Sequence, residues 1–353
     1  MSPLSELIHL KRNIISMNSA SILGIDGGAT KVLAQRCIID PKSLLITPQD
    51  YKLESTYSDS PDFDSGFKPI DLSNQKKEDR ETNYNFSEYE INQSSAIINS
   101  IVETIVSAAK DNQVSHIGLC FPGIKTVNKD GIAIIANGPR SLEMLSLINE
   151  KLKSKLNNRL SINKIYDDSE CCLIGEWKST TGKLIGSKNA IYIGGGTGIA
   201  DGIILDNEIV DINAHHEAIR SWEMIMANGE SVEQCLSLGG MLKKWNSEKE
   251  RSINAVLSLF DNAISGDSRA NKIIEAAAKA FSFLVEKRID YFHHNNSVPE
   301  KIVIGQRLGD ILSNQKNPLT KLIFQKNYYE IPIEISTDRR TAALGAAYKA
   351  YAQ

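Results

Sequence analysis

The chain reads as an α/β protein of two related halves, each with a mixed central sheet flanked by helices. Three observations predict this. Its 353 residues exceed what one core usually supports, at about 150 residues per domain. A strand, a glycine turn and a second strand occur twice, over residues 24–38 and 193–210. Between and after them, apolar residues recur at helical spacing, so strands and helices alternate.

Composition narrows the classes. Hydrophobic residues make up 41% and charged residues 24%, enough for a sizeable core and incompatible with global disorder. A net charge of -3 gives no general field for a polyphosphate backbone, so nucleic acid is not an expected partner. The five cysteines (Cys37, Cys120, Cys171, Cys172 and Cys235) form no Cys-x-x-Cys pair, and free thiols in a reducing compartment are expected. Glu6, Lys11 and Arg12 interrupt the apolar runs at the start, and no apolar stretch reaches about 18 residues. A cytoplasmic protein without a membrane segment is therefore expected.

Element by element, residues 21–40 form a β-hairpin about Gly27-Gly28, because no helical period follows the glycines. Residues 44–54 add a strand. Residues 56–92, rich in Ser, Asp, Asn and Lys, read as a solvated polar insertion with little core. Residues 94–111 place Ile97, Ile98, Ile101 and Ile105 on one helical face. Strands follow at 116–124, ending in Pro122-Gly123, and at 131–137, broken by Gly138-Pro139. Next come a helix over 142–156, a strand over 161–166, and a helix opened by Asp167-Asp168. In the second half, a strand over 190–193 enters Gly194-Gly195-Gly196 and returns over 201–210. Helices over 231–244 and 270–293 precede a strand at 301–304, a turn over 305–309 and a small-residue helix over 341–350. The expected domains are 1–137, completed by 338–353, and 138–337.

Four segments are candidates for chemistry. Asp26-Gly27-Gly28-Ala29-Thr30-Lys31 would let backbone N–H groups approach an anion, with the Thr30 hydroxyl as a further donor and Asp26 near a magnesium ion; for this segment alone an ordinary hairpin turn is the favoured explanation. Gly194-Gly195-Gly196-Thr197-Gly198 is either a phosphate cradle or a structural bend. Asp167-Asp168 either caps its helix or supplies a general base. Gly305 and Gly309 suit a flat ligand such as an adenine.

These motifs in this order resemble the actin/hexokinase/Hsp70 ATPase superfamily: Asp26 to Lys31, then Gly-Gly-Gly-Thr-Gly-Ile-Ala-Asp-Gly-Ile-Ile from Gly194, then Ala-Leu-Gly-Ala-Ala from Ala343. Tyr-Asp-Asp-Ser-Glu-Cys-Cys-Leu-Ile-Gly-Glu-Trp from Tyr166 is similar to a segment of the ROK sugar kinases, as is Phe121-Pro122-Gly123 followed by Gly131 and Asn137. The resemblance runs from about Ser21 onwards. It implies two actin-like (ribonuclease H-like) domains around an ATP cleft, and phosphorylation of a hexose or N-acetylhexosamine. Asp168 falls on the catalytic base and Asp167 on a sugar-contacting Asn. Asn137 and Gly138 fall on a sugar-contacting loop, and Glu223 near another sugar contact. Gly27, Gly28, Ala29, Thr30 and Lys31, Gly195, Gly196, Thr197 and Gly198, and Gly305 with Gln306 fall on ATP-binding turns, and Asp26 on the magnesium side. At the helix N-terminus, Asp168 is expected to stay ionised.

The departures carry their own expectations. The first motif, with its shifted glycines, is closer to N-acetylglucosamine kinases and to activator ATPases. The ROK zinc motif is absent, which leaves His215-His216 without cysteine partners, so no zinc is expected. Asp167 replaces Asn and cannot donate a hydrogen bond. Two further readings stand beside the kinase: a sugar or nucleotide sensor without chemistry, and an activator ATPase with an iron–sulfur cluster at Cys171-Cys172. With about twenty residues before the first strand, a helix-turn-helix repressor is not expected. The resemblance also implies a possible homodimer.

Overall fold

A computed structural model describes residues 20–110, 113–212, 218–246, 253–326, 328 and 330–352. The chain forms two compact units, Met1–Thr181 with Arg340–Gln353, and Gly182–Arg339. In the first, β1 (Ala20–Gly27), β2 (Lys31–Ile39) and β3 (Ile46–Thr56) make an antiparallel meander. β4 (His116–Phe121) lies parallel to β1 on its other side. A side ribbon pairs β5 (Ile124–Lys125) with β6 (Ile132–Ile134). β7 (Ile165–Asp167) completes the main sheet parallel to β4, giving the order β3-β2-β1-β4-β7.

The boundary expected at 137/138 is corrected. Because β7 pairs with β4, the chain through Thr181 stays with the first sheet.

Residues 56–92 are not a bare solvated flap. They include a buried Tyr57, helix α1 (Leu72–Glu81) and the first turn of α2 (Glu88–Ala108). The Ser87 hydroxyl caps α2 by accepting the Glu90 N–H at 3.2 Å. Ile97, Ile98, Ile101, Val102 and Ile105 of α2 then bury against the sheet beside Met144 and Ile148 of α3 (Met144–Lys155). Helix α4 (Asp168–Lys178) follows β7 directly.

The second unit repeats the plan. β8 (Ala190–Gly195), β9 (Ile199–Leu205) and β10 (Glu208–Ile209) are antiparallel, while β11 (Lys301–Gly305) and β12 (Ile333–Ile335) extend the sheet in parallel, in the order β10-β9-β8-β11-β12. The helix expected over 231–244 is two, α5 (Val232–Leu236) and α6 (Leu238–Asn246), because Ser237 adopts an extended backbone (ψ 151°) between them. α7 (Ile253–Ile264) and the long α8 (Ser268–His294) follow, and α8 buries Phe281, Leu284, Val285 and Phe292 in the core. α9 (Gln306–Leu312) and α10 (Pro318–Gln325) complete the layer.

The chain then returns to the first unit as α11 (Thr341–Ala352). This helix lies so close that a Cβ on Gly24 would sit 1.8 Å from the Ala343 carbonyl oxygen, and one on Gly118 1.9 Å from that of Ala346. Only backbone without side chains permits that approach.

Candidate functional site

Two parallel pairings decide where the first unit's acids stand. Asp26 is level with Cys120, and Phe121 is level with Asp167, so Asp26, Asp167 and Asp168 share the C-terminal end of β1 and β7. Ligands in α/β sheets bind at this end. Burial, with the Asp168 carboxylate as neighbour, pushes Asp26 up to about 7 from 3.8. Burial also raises Asp168, helped by Asp167 and opposed by Lys125, while its backbone bond from Ser169 N–H (2.9 Å) pulls the other way. Loss of water thus raises the proton affinity of Asp168 above that of a free carboxylate, against the pull of Lys125 and of the helix N-terminus.

Asp167 differs from its neighbour. Burial would raise it, yet the Lys125 ammonium holds it below the usual carboxylate range. Lys125 Nζ donates to Asp167 Oδ1 at 2.8 Å, to the Phe121 carbonyl at 2.6 Å and to the Gly123 carbonyl at 2.8 Å. One cation therefore ties the Pro-Gly turn to the β7 end.

Asn137 is exposed and Gly138 partly so, on the loop after β6. That loop is clamped on both sides. The Gln75 side chain of α1 donates to the Ile135 carbonyl (2.9 Å) and accepts its N–H (2.8 Å). On the far side, the buried Arg140 guanidinium pairs with Glu90 through Nε and Nη2 (both 2.9 Å) and with Glu78 (2.5 Å). The Phe86 ring covers it, 4.8 Å from the guanidinium carbon.

In the first turn itself, Gly28 N–H donates to the Lys31 carbonyl at 2.9 Å, and Ala29 and Thr30 are exposed. Lys31 pairs with Glu54 at 2.8 Å across the hairpin. Gly27 answers to packing, since a Cβ there would lie 2.4 Å from the Phe121 ring.

In the second unit, the β8–β9 turn is closed by Gly196 N–H on the Gly198 carbonyl (2.8 Å) and anchored to α6 by Leu238 N–H on the Gly196 carbonyl (3.0 Å). The Glu233 carboxylate accepts the Ile199 N–H at 3.1 Å, and a Cβ on Gly198 would strike it. Gly195 is hemmed by Leu308. Around Gly196 there is open space: a Cβ would meet nothing within 4 Å. Gly195 bridges to Gln306, which holds a left-handed backbone (φ +58°) at the start of α9.

The turn expected over 305–309 is the end of β11 followed by the first turn of α9. Gly305 packs on the Tyr192 hydroxyl and Gly309 under the Ser336 carbonyl, so both glycines serve contacts inside the unit. Glu223 is exposed on a single 3₁₀ turn of the second unit, Ser221–Glu223, whereas Asn137, Asp167 and Asp168 belong to the first. His215 and His216 lie outside the described residues.

Sequence reasoning missed Lys125, Arg140 and the Arg288–Asp201 pair. Arg288 is buried against Asp201 and donates to the Ile219 carbonyl at 2.6 Å, fixing the chain just before Glu223. A lysine on the strand after a Pro-Gly turn was the one available signal. All five cysteines are buried free thiols, Cys171 and Cys172 among them.

Among the described residues, no group of three or more His, Cys, Asp or Glu is placed to hold a metal ion by itself, and no helix is long and apolar enough to cross a membrane. Asp26 beside Asp168, two carboxylates whose charge burial disfavours, still fits a hard cation such as magnesium, which takes one or two carboxylates and fills its shell with water and phosphate.

A scan against protein families and a search of curated proteins return no match. Solved structures do match across nearly the whole chain. A ROK hexokinase from Thermus thermophilus is 16% identical, with a TM-score of 0.60 over 94% of this chain and 98% of its own. A ROK family glucokinase from Streptomyces griseus, solved with glucose and AMPPNP, is 14% identical, with a TM-score of 0.59 over 95% and 100%. A ROK family transcriptional regulator, a homologue of the E. coli MLC protein, is 14% identical, with a TM-score of 0.52 over 94% of this chain and 78% of its own. The chain has the two-domain actin-like fold of the ROK sugar kinases.

Proposed function

We propose that this protein is an ATP-dependent sugar kinase that transfers a phosphoryl group to a hydroxyl of a hexose or N-acetylhexosamine, with Asp168 as general base. One observation carries the reading. Asp168 stands partly buried where β7 passes into α4, its proton affinity raised by burial, beside an Asp167 whose charge Lys125 compensates. A carboxylate with raised proton affinity is better matched to taking a proton from an attacking hydroxyl. The shared fold supports the class of reaction.

The remaining roles follow from chemistry. Asn137, Gly138 and Asp167 would orient the sugar, and Glu223 is kept as a further candidate sugar contact. Backbone N–H groups of residues 27–31 and of Gly195 to Gly198 that are not already bonded within their turns would donate to phosphate oxygens, Gly196 leaving room for their approach, while Gly305 and Gln306 would border the nucleotide. Asp26 would hold magnesium, which when bound neutralises charge on the transferred phosphoryl group.

ADP release measured against glucose, N-acetylglucosamine and N-acetylmannosamine tests the activity. Asp168→Asn should lower kcat by roughly 10²–10⁴ with little change in melting temperature. Near-normal turnover in that variant would remove Asp168 from the role. The fold is shared with a regulator, so the sensor reading has its own signature: a sugar-dependent rise in melting temperature without sugar-dependent ADP release.

A further inference from the structure

We infer that Lys125 is a positioning residue that makes Asp167 an acceptor-only reader of substrate hydroxyls, and so sets which sugars the site accepts. The inference rests on the sugar-kinase reading above and deepens it.

A lysine ammonium has three N–H donors. Lys125 has three acceptors, the Phe121 and Gly123 carbonyls and Asp167 Oδ1, at 2.6 to 2.8 Å. Its side chain is only 5% exposed. No donor is left over for a phosphate or a sugar, so Lys125 does not act on substrate directly.

Its effect passes through Asp167. That side chain is 39% exposed, and one oxygen is committed to Lys125. The second oxygen is left as an acceptor beside Asp168. An amide at this position would offer a donor as well as an acceptor, whereas the ionised carboxylate only accepts. Two adjacent carboxylates, Asp167 and Asp168, repel, and the Lys125 ammonium 2.8 Å from Asp167 Oδ1 offsets that repulsion. The substrate must therefore present a hydroxyl donor at this point. A site built to bond a hydroxyl rejects an analogue lacking it far more strongly than an apolar pocket rejects a missing methylene.

The experiment combines Lys125→Met, Asp167→Asn and the double variant, each assayed for ADP release with glucose and N-acetylglucosamine and checked for folding by thermal melting. Lys125→Met, which leaves Asp167 uncompensated, should raise the sugar KM about 100-fold; because Lys125 also acts on Asp168, kcat shifts too, and the deciding readout is the KM of the double variant. In the double variant the neutral amide needs no counter-ion, so most of that KM is recovered. Single deoxy-sugars should identify one hydroxyl whose loss costs wild type far more than it costs Asp167→Asn.

If Lys125 only braced the Pro-Gly turn, Asp167→Asn would rescue nothing, and that result overturns the inference. So does an unchanged KM in Lys125→Met. A wild type that neither turns over nor is stabilised by any sugar overturns the kinase reading itself, and is distinct from a wild type that responds while the variants fail to separate.

Discussion

The two sheets run the same course, an antiparallel meander followed by two parallel strands, yet their strand ends carry opposite equipment. In the first unit β1 carries Asp26 one residue before its end, β7 ends on Asp167, and α4 begins with Asp168. In the second, β8 ends in Gly194-Gly195 and β11 in Gly305, with no acid at either end. One copy of the scaffold gathers charge that can bind a cation or take a proton. The other presents bare backbone, suited to an anion that needs N–H donors. A scaffold fixes where a strand ends, and the residues placed about that end decide the chemistry.

The comparison extends to how each unit holds its loop, and here the largest effects are expected. Arg140 and Arg288 are both buried, each pairing with acids and organising a loop that carries a candidate sugar contact. Arg140→Ala leaves Glu90 buried without its partner and should cost about 3–5 kcal/mol by urea denaturation. Hydrogen exchange should accelerate over 131–140 in that variant and over 218–223 in Arg288→Ala. Exchange that rises equally in both regions for either variant would show that the two clamps are not separate.

Next in size is a pair of glycine substitutions. Gly27→Ala drives a methyl into the Phe121 ring and should cost about 1–3 kcal/mol. Gly196→Ala meets nothing and should leave stability within about 0.5 kcal/mol. Its effect belongs to the nucleotide: the KM for ATP should rise while the melting temperature stays put. A Gly196→Ala enzyme with unchanged KM for ATP would make this turn a bend and nothing more.

Asp26 gives the first unit a pH dependence. Folding raises its carboxyl from 3.8 to about 7, so the folded state holds the proton more tightly than the unfolded chain. Stability contributed by this group therefore falls as pH rises from about 4 to about 7. Asp26→Asn should melt above wild type at pH 8, with the gap narrowing toward pH 4. The smallest expected effect is at Gln306, whose left-handed backbone suits glycine. Gln306→Gly should raise stability by up to about 1 kcal/mol, read as a shift of roughly 2–4 °C in melting temperature.

Most of the scaffold was legible because hairpins and buried strands have a period of two and the long helices a period near 3.6. Residues 24–38 and 193–210 announced the duplicated hairpin, and 94–111 the helix that became α2. The domain boundary was not legible, since only the pairing of β7 with β4 assigns 138–181 to the first sheet. The insertion is largely exposed with little core, as its composition suggested, but the contacts that order it were not legible. Gln75, Glu78 and Glu90 look like solvated surface, but each has a partner distant in sequence, Ile135 or Arg140, and paired polar groups can be buried. The acids of the candidate site were visible as residue types at strand ends. What the sequence could not show was their environment: that Lys125 would compensate Asp167, or that burial would raise Asp168 against its helix dipole.

The return of α11 to the first unit also fixes an order of events during synthesis. Residues 182–339 are contiguous and carry their own core, so the second unit can fold as soon as it has emerged from the ribosome. The first unit, although made earlier, lacks the helix against which Gly24, Gly118 and Gly175 are shaped until residues beyond 341 arrive. Its sheet must wait, with the faces of β1 and β4 uncovered, through the making of the whole second unit. The half that carries Asp26, Asp167 and Asp168 thus cannot complete its packing before α11 is made, and no nascent chain holds a finished Asp168 site while still short of that helix.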